Sequence, residues 1–184
     1  MSDELIPIGV VASLHVHPVK GGKPMQRVKF MMLQVGQGIE GAPKRTYDHR
    51  PARMKKDEKP EQRDVSFIHR NELQELEKIM VDELGAKPGL LTPGRVRANI
   101  EIGGEAITPS GLLKLTGQDL VIGTAIVRLT MERDPCNEMN WICQGLAALM
   151  KNGKQGIFAQ IIQSGKITEG DVIYYREKNE AKKQ

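Results

Sequence analysis

A chain of 184 residues with a net charge of +4 is long enough to bury one hydrophobic core and short for more than one domain. Its 39% hydrophobic and 27% charged residues exclude a disordered chain, and no apolar run approaches the ~20 residues that span a bilayer. Two cysteines, seven residues apart, exclude a disulfide framework; with no basic segment and long apolar run at the start, a reduced cytoplasmic setting is expected.

Ile8–His17, rich in β-branched residues and stopped by Pro18, predicts a first strand. His15 and His17 share one of its faces and either hold a metal or line a partly exposed surface. No Asp, Glu or Cys follows at a ligand-like spacing, which favours the surface. Gly21 and Gly22, flanked by Lys20 and Lys23, form a turn whose N–H groups can accept an anion. A second strand is predicted over Arg27–Val35, and Gly36, Gly38 and Gly41 then mark a change of direction. The polar stretch Lys44–Arg63, which includes Arg45, reads as a long loop, either functional or disordered.

Asp64–His69 resumes strand character. Asn71 is placed as an N-cap with Gln74 closing a capping box, and Leu73, Leu76, Met80 and Leu84 recur at helical spacing up to Gly85. This apolar stripe is read as core. Pro93–Ile102 alternates, with Val96, Ala98, Ile100 and Ile102 on one face and Arg95, Arg97, Asn99 and Glu101 on the other. That polar face either meets water or lines an anion-binding cavity.

Leu112–Leu115, Leu120–Ile122 and Ala125–Met131 continue as strands with turns at Gly117 and Gly123, and Trp141–Met150 predicts a short helix. Ile157–Gln163 and Asp171–Arg176 complete the set, joined by Ser164–Gly170. Eight or so short strands with one or two peripheral α-helices predict a mainly β fold, a closed or nearly closed β-barrel. One domain is expected over residues 1–176, with a charged tail at 177–184.

The stretch with the most chemistry is Arg133-Asp134-Pro135-Cys136. A thiol reacts as its thiolate, which a nearby cation favours, and Arg133 lies three residues away. Pro135 keeps the backbone before it out of a helix, so Cys136 is expected on a turn. The alternative is a buried cysteine acting as a small hydrophobe. Three Phe, three Tyr and one Trp are too few rings for a single-strand stacking platform, so nucleic acid is not an expected partner.

Five stretches in order carry a family resemblance: the first strand with Pro18-Val19-Lys20-Gly21-Gly22; Gly38-Ile39-Glu40-Gly41; Pro93–Ile100 followed by Gly103-Gly104; Leu120–Ala125 leading to Asp134-Pro135-Cys136; and Gly165–Val172. The chain resembles the MOSC family, found at the C-terminus of molybdenum-cofactor sulfurases and as small stand-alone bacterial proteins. The resemblance implies a β-barrel and sulfur or molybdenum chemistry. It makes Cys136 the persulfide carrier or molybdenum ligand; Arg133, from its place three residues before, is read as the catalytic cation that activates the thiolate. Lys20, Arg45, Arg95, Arg97 and Asn99 are then the residues that bind an anionic molybdenum-pterin cofactor. Cys143 has no counterpart and is read as a packing residue. One departure stands out: the family often has Gly-Asp after the glycine turn, where this chain has Gly41-Ala42.

Three functions follow as expectations. The first is a cytoplasmic cofactor-binding or persulfide-handling protein, supplied by a sulfur donor protein. The second is a molybdenum-dependent reductase of N-hydroxylated compounds that takes electrons from a separate reductase. The third is a barrel that binds nucleic acid or protein while Cys136 stays inert.

Overall fold

The computed structural model describes residues 4–17, 24–42 and 63–177. Within these, strand β1 (Glu4–Val16) runs antiparallel to β11 (Val172–Glu177) over its first half and to β6 (Ile100–Gly103) over its second. Register shifts between Pro7 and Gly9 and between Val11 and Ser13 bend β1 so that it can serve both neighbours. Gly9 sits at one shift; a Cβ there would lie 2.8 Å from the Gly103 carbonyl oxygen, so only glycine allows this approach.

The other strands of the ring are β5 (Val65–His69), β7 (Asp119–Ile122), β8 (Ala125–Glu132) and β9 (Ile157–Gln163). The order β11-β7-β8-β9-β5-β6-β1 closes on itself through β11 and β1, making a ring of seven strands. Alternation along each strand sends one set of side chains inward, where Leu14, Phe67, Ile100, Ile102, Leu129 and their neighbours fill the barrel. A second apolar cluster lies outside the ring. There helix α1 (Arg70–Leu84) lays Leu73, Leu76 and Met80 against Ile68, Val96, Ala98, Met139, Leu146 and Met150.

The mainly β barrel matches the sequence reading, and several local expectations are corrected. Arg27–Val35 breaks at Lys29 into β2 (Gln26–Val28), which pairs with β1, and β3 (Phe30–Gln34). The second piece joins β4 (Gly38–Ile39) and β10 (Gly165–Thr168) in a separate small sheet, so the expected link Ser164–Gly170 contains a strand. Leu112–Leu115 belongs to helix α2 (Pro109–Lys114), where the Thr108 hydroxyl accepts from the Gly111 N–H at 3.0 Å and Pro109 opens the first turn. The helix expected over Trp141–Met150 is a 3₁₀ helix (Asn137–Trp141) and a short α3 (Leu146–Leu149), parted by Gly145 at φ 93°.

Helix α1 begins earlier than Asn71, because His69 is its N-cap: Nδ1 accepts from the Asn71 N–H at 3.1 Å. Burial lowers the pKa of this imidazole, and also that of His15. Groups whose pKa is lowered on folding stay neutral in the native state while the unfolded chain takes up protons below ~6.5. Stability is therefore expected to be level above that pH, to fall as pH drops from there towards the two lower folded values, and to level off below them. Urea titrations at neutral and mildly acid pH measure this, and His69→Asn, which keeps a capping acceptor that does not titrate, should flatten the fall. An unchanged slope in that variant would remove His69 as a cause.

Candidate functional site

The site begins with a turn. Pro93–Arg97 does not extend β6; the Arg95 and Val96 N–H groups fold back on the Thr92 carbonyl at 3.0 and 3.1 Å, and strand geometry resumes only at Ile100. Val96 and Ala98 anchor the turn in the outer apolar cluster. Arg97 takes a left-handed backbone, φ 60°, which a side chain adopts at a cost of roughly 1–2 kcal/mol. That conformation lets its carbonyl accept from Ser66 Oγ at 3.3 Å and from Arg133 Nη2 at 3.1 Å, while its guanidinium reaches Glu138 in an ion pair.

Cys136 lies between those two contacts. Arg133, just past β8, is buried, and its guanidinium donates to the carbonyls of Gln155, Val96 and Arg97 at 2.9, 2.9 and 3.1 Å. It also rests over the Phe158 ring, 5.4 Å from the centroid. Three residues on, Cys136 is extended (φ −94°, ψ 161°), and its carbonyl accepts from the Met139 N–H as the 3₁₀ helix starts. Arg97 thus grips both ends of the segment that carries the thiol: Arg133 through its carbonyl and Glu138 through its side chain. The thiol is half-buried against the outer cluster, as is Cys143, and neither is bonded to the other.

On its other side the same turn walls a cavity of about 350 Å³. Gly94 forms part of that wall, where a Cβ would meet the Met25 carbonyl oxygen at 2.7 Å and His15 Cδ2 at 3.2 Å. Arg27, Arg70 and Glu101 line the space, each within a charge pair. Arg70 pairs with both carboxylate oxygens of Glu101 at 3.0 and 3.2 Å, while Ser13 Oγ donates to the same carboxylate at 2.6 Å. Arg27 pairs with Glu169 at 2.7 and 3.2 Å. Burial alone would raise the Glu101 pKa, but the hydrogen bonds from Arg70 and Ser13 hold it below the ordinary carboxylate value. His15, between the pairs, is pushed towards its neutral form by burial. The charges on the cavity wall are therefore each paired, Arg27 by a Glu169 outside the lining, and an imidazole pushed towards its neutral form lies among them.

Arg97, Arg133 and Cys136 come together as a connected unit. Asn99 stands behind them: its Oδ1 accepts from the Ser66 N–H and Oγ at 3.1 and 2.9 Å, and its Nδ2 donates to the His15 carbonyl at 3.1 Å. That makes Asn99 a clamp across β1, β5 and β6 and not a free face toward a ligand. Arg95 is exposed and donates to the Leu90 carbonyl at 3.1 Å. Lys20 and Arg45 lie outside the described residues, as does all of Lys44–Arg63 except Arg63. Ala42, in place of the family's acidic residue, packs against the barrel core.

Sequence reasoning missed Ser13, Arg27, Arg70 and Glu138. Arg27 meets Glu169 across 142 positions of sequence, and no local pattern marks such a partner. Among the described residues no three His, Cys, Asp or Glu side chains gather closely enough to hold a metal ion by themselves. No helix among them is long and apolar enough to cross a membrane.

A family model described as "MOSC domain" matches residues 33–174. Similar solved structures include the YuaD protein from Bacillus subtilis, at TM-score 0.72 and 19% identity over 96% of this chain and 99% of that one. YiiM from Escherichia coli follows at 0.64 and 19%, covering 92% of this chain and 70% of that one. YiiM from Geobacillus stearothermophilus superposes at 0.60 with 17% identity, over 97% and 78%. At such identities the likeness speaks to the fold. No curated protein matches the chain.

Proposed function

Because the chain belongs to the MOSC domain family, we propose that it binds a molybdenum-pterin cofactor, with Cys136 as the protein's sulfur ligand. The observation that carries this reading is the grip of Arg97 on both ends of the Cys136 segment. It ties a guanidinium, a bidentate partner for phosphate, to the short segment that carries a soft sulfur donor. The donor set fits such a group: one thiol suits a metal that arrives with other ligands of its own, and the Arg97 guanidinium, held by Glu138 two residues past Cys136, offers a partner to the cofactor's anionic groups. When bound, the cofactor supplies exchange of oxygen or sulfur atoms at molybdenum.

The chain's own residues bind and orient. Arg97 and Arg95, with Lys20 and Arg45, hold the anionic groups; Arg133 and Asn99 brace the turn from behind. His15 offers a neutral imidazole to a ligand ring edge in the cavity. A reduced cytoplasmic setting keeps the thiol free for this role. Trp141, 77% exposed and five residues after Cys136, supports a partner protein, either a sulfur donor or a reductase, docking at this side.

The test is production in a host that makes the cofactor, followed by purification without oxygen. Molybdenum and pterin are expected in near-equal amounts, with molybdenum lost in Cys136→Ser and pterin content lowered in Arg97→Gln, at unchanged melting temperature. A persulfide on Cys136 by intact mass, without metal, selects sulfur carriage by the same thiol. Well-folded protein with no molybdenum, pterin or added sulfur would refute both.

A further inference from the structure

We propose that Glu138 is a built-in counter-ion for Arg97, which an anionic ligand must displace before the guanidinium can serve it. Glu138 thereby sets the anion selectivity of the Cys136 site. This rests on the reading above that Arg97 and Cys136 form one site.

The geometry is specific to these residues. The Arg97 backbone is fixed: φ 60° turns its carbonyl to Ser66 and Arg133, so the residue cannot swing as a whole. Only the side chain is free to change partner. Its partner, Glu138, is two residues past Cys136, which keeps the two Cα atoms within about 7 Å. The pair is only partly covered, with 29% of the Arg97 side chain and 40% of the Glu138 side chain exposed. By contrast Arg133 is buried and committed to carbonyls. Arg97 is thus a partly exposed cation held on the segment that carries the thiol, within reach of solvent and ligands, and Glu138 is what neutralises it. An ion pair of this exposure shifts an equilibrium about fivefold or less, so a phosphate or carboxylate that binds Arg97 through two hydrogen bonds can replace it.

Anionic and neutral alkylating reagents separate this from a packing role. In a Cys143→Ala background, the rates at which iodoacetate and iodoacetamide modify Cys136 are measured, and their ratio reports the local positive charge. Glu138→Gln is expected to raise that ratio about fivefold, and inorganic phosphate should then slow iodoacetate more than iodoacetamide. In the double variant Arg97→Gln with Glu138→Gln, the rise should vanish. A ratio unchanged by Glu138→Gln, with Cys136 still reacting, overturns the counter-ion role alone. A rise that persists without Arg97 overturns it too, since removal of any carboxylate would then suffice. If neither reagent reaches Cys136 in the folded protein, the cofactor reading falls with it.

Discussion

Asn99→Ala is expected to lower the unfolding free energy by about 3–5 kcal/mol, measured as a lower urea midpoint at constant m-value. The side chain makes three hydrogen bonds inside the protein, two from Ser66 and one to the His15 carbonyl. Truncation leaves the Ser66 N–H and the His15 carbonyl without those partners in a buried place, at about 1–3 kcal/mol each, and adds the loss of packing. The damage reaches the site, since Ser66 Oγ also holds the Arg97 carbonyl. The variant should therefore expose Cys136 to iodoacetamide sooner as well as unfold sooner. A loss below about 1 kcal/mol would mean that the clamp is dispensable and that the turn is held by its apolar anchors alone.

Gly156→Ala should be at least as harmful, costing more than about 3 kcal/mol or preventing folding altogether. Gly156 has φ 90°, where a side chain is strained, and a Cβ would stand 2.0 Å from the Phe67 carbonyl oxygen. That oxygen is backbone in the centre of β5 and cannot move aside without opening the pairing of β5 with β9. The Gly156 carbonyl also receives the Arg133 N–H at 2.9 Å, so the strand entry and the thiol segment shift together. Gly170→Ala, with a similar φ of 91° but nothing near the added carbon, isolates the strain from the collision. It should cost only about 1 kcal/mol or slightly more. Equal losses in the two variants would show that the close approach is unimportant.

The barrel was legible because inward and outward residues alternate, and α1 because its stripe ends at a glycine that can turn left-handed. The turn at Pro93–Arg97 was not. Val96 and Ala98 continue the spacing of Ile100 and Ile102, and all four are buried, but the first pair packs outside the ring and the second within it. One apolar rhythm thus covers two structures, a turn that contains the left-handed Arg97 and a strand that starts only at Ile100. The apolar run Leu112–Leu115 suffered the usual ambiguity between a buried strand and a short helix, although Thr108 and Pro109 signalled the helix start. The candidate site was half legible. Cys136 and Arg97 show as residue types in a recognisable order, while Glu138, Arg27 and Arg70 gain meaning only from distant partners.

The seam between β1 and β11 pairs Glu4 with Glu177 and Val10 with Val172, so the ring closes only when the first and last strands meet. Contacts of such sequence separation are late and slow to form, because the whole intervening chain must be ordered first. A chain that lacks β11 would leave the edges of β1 and β7 unpaired, and such a truncation should aggregate more readily than the full chain.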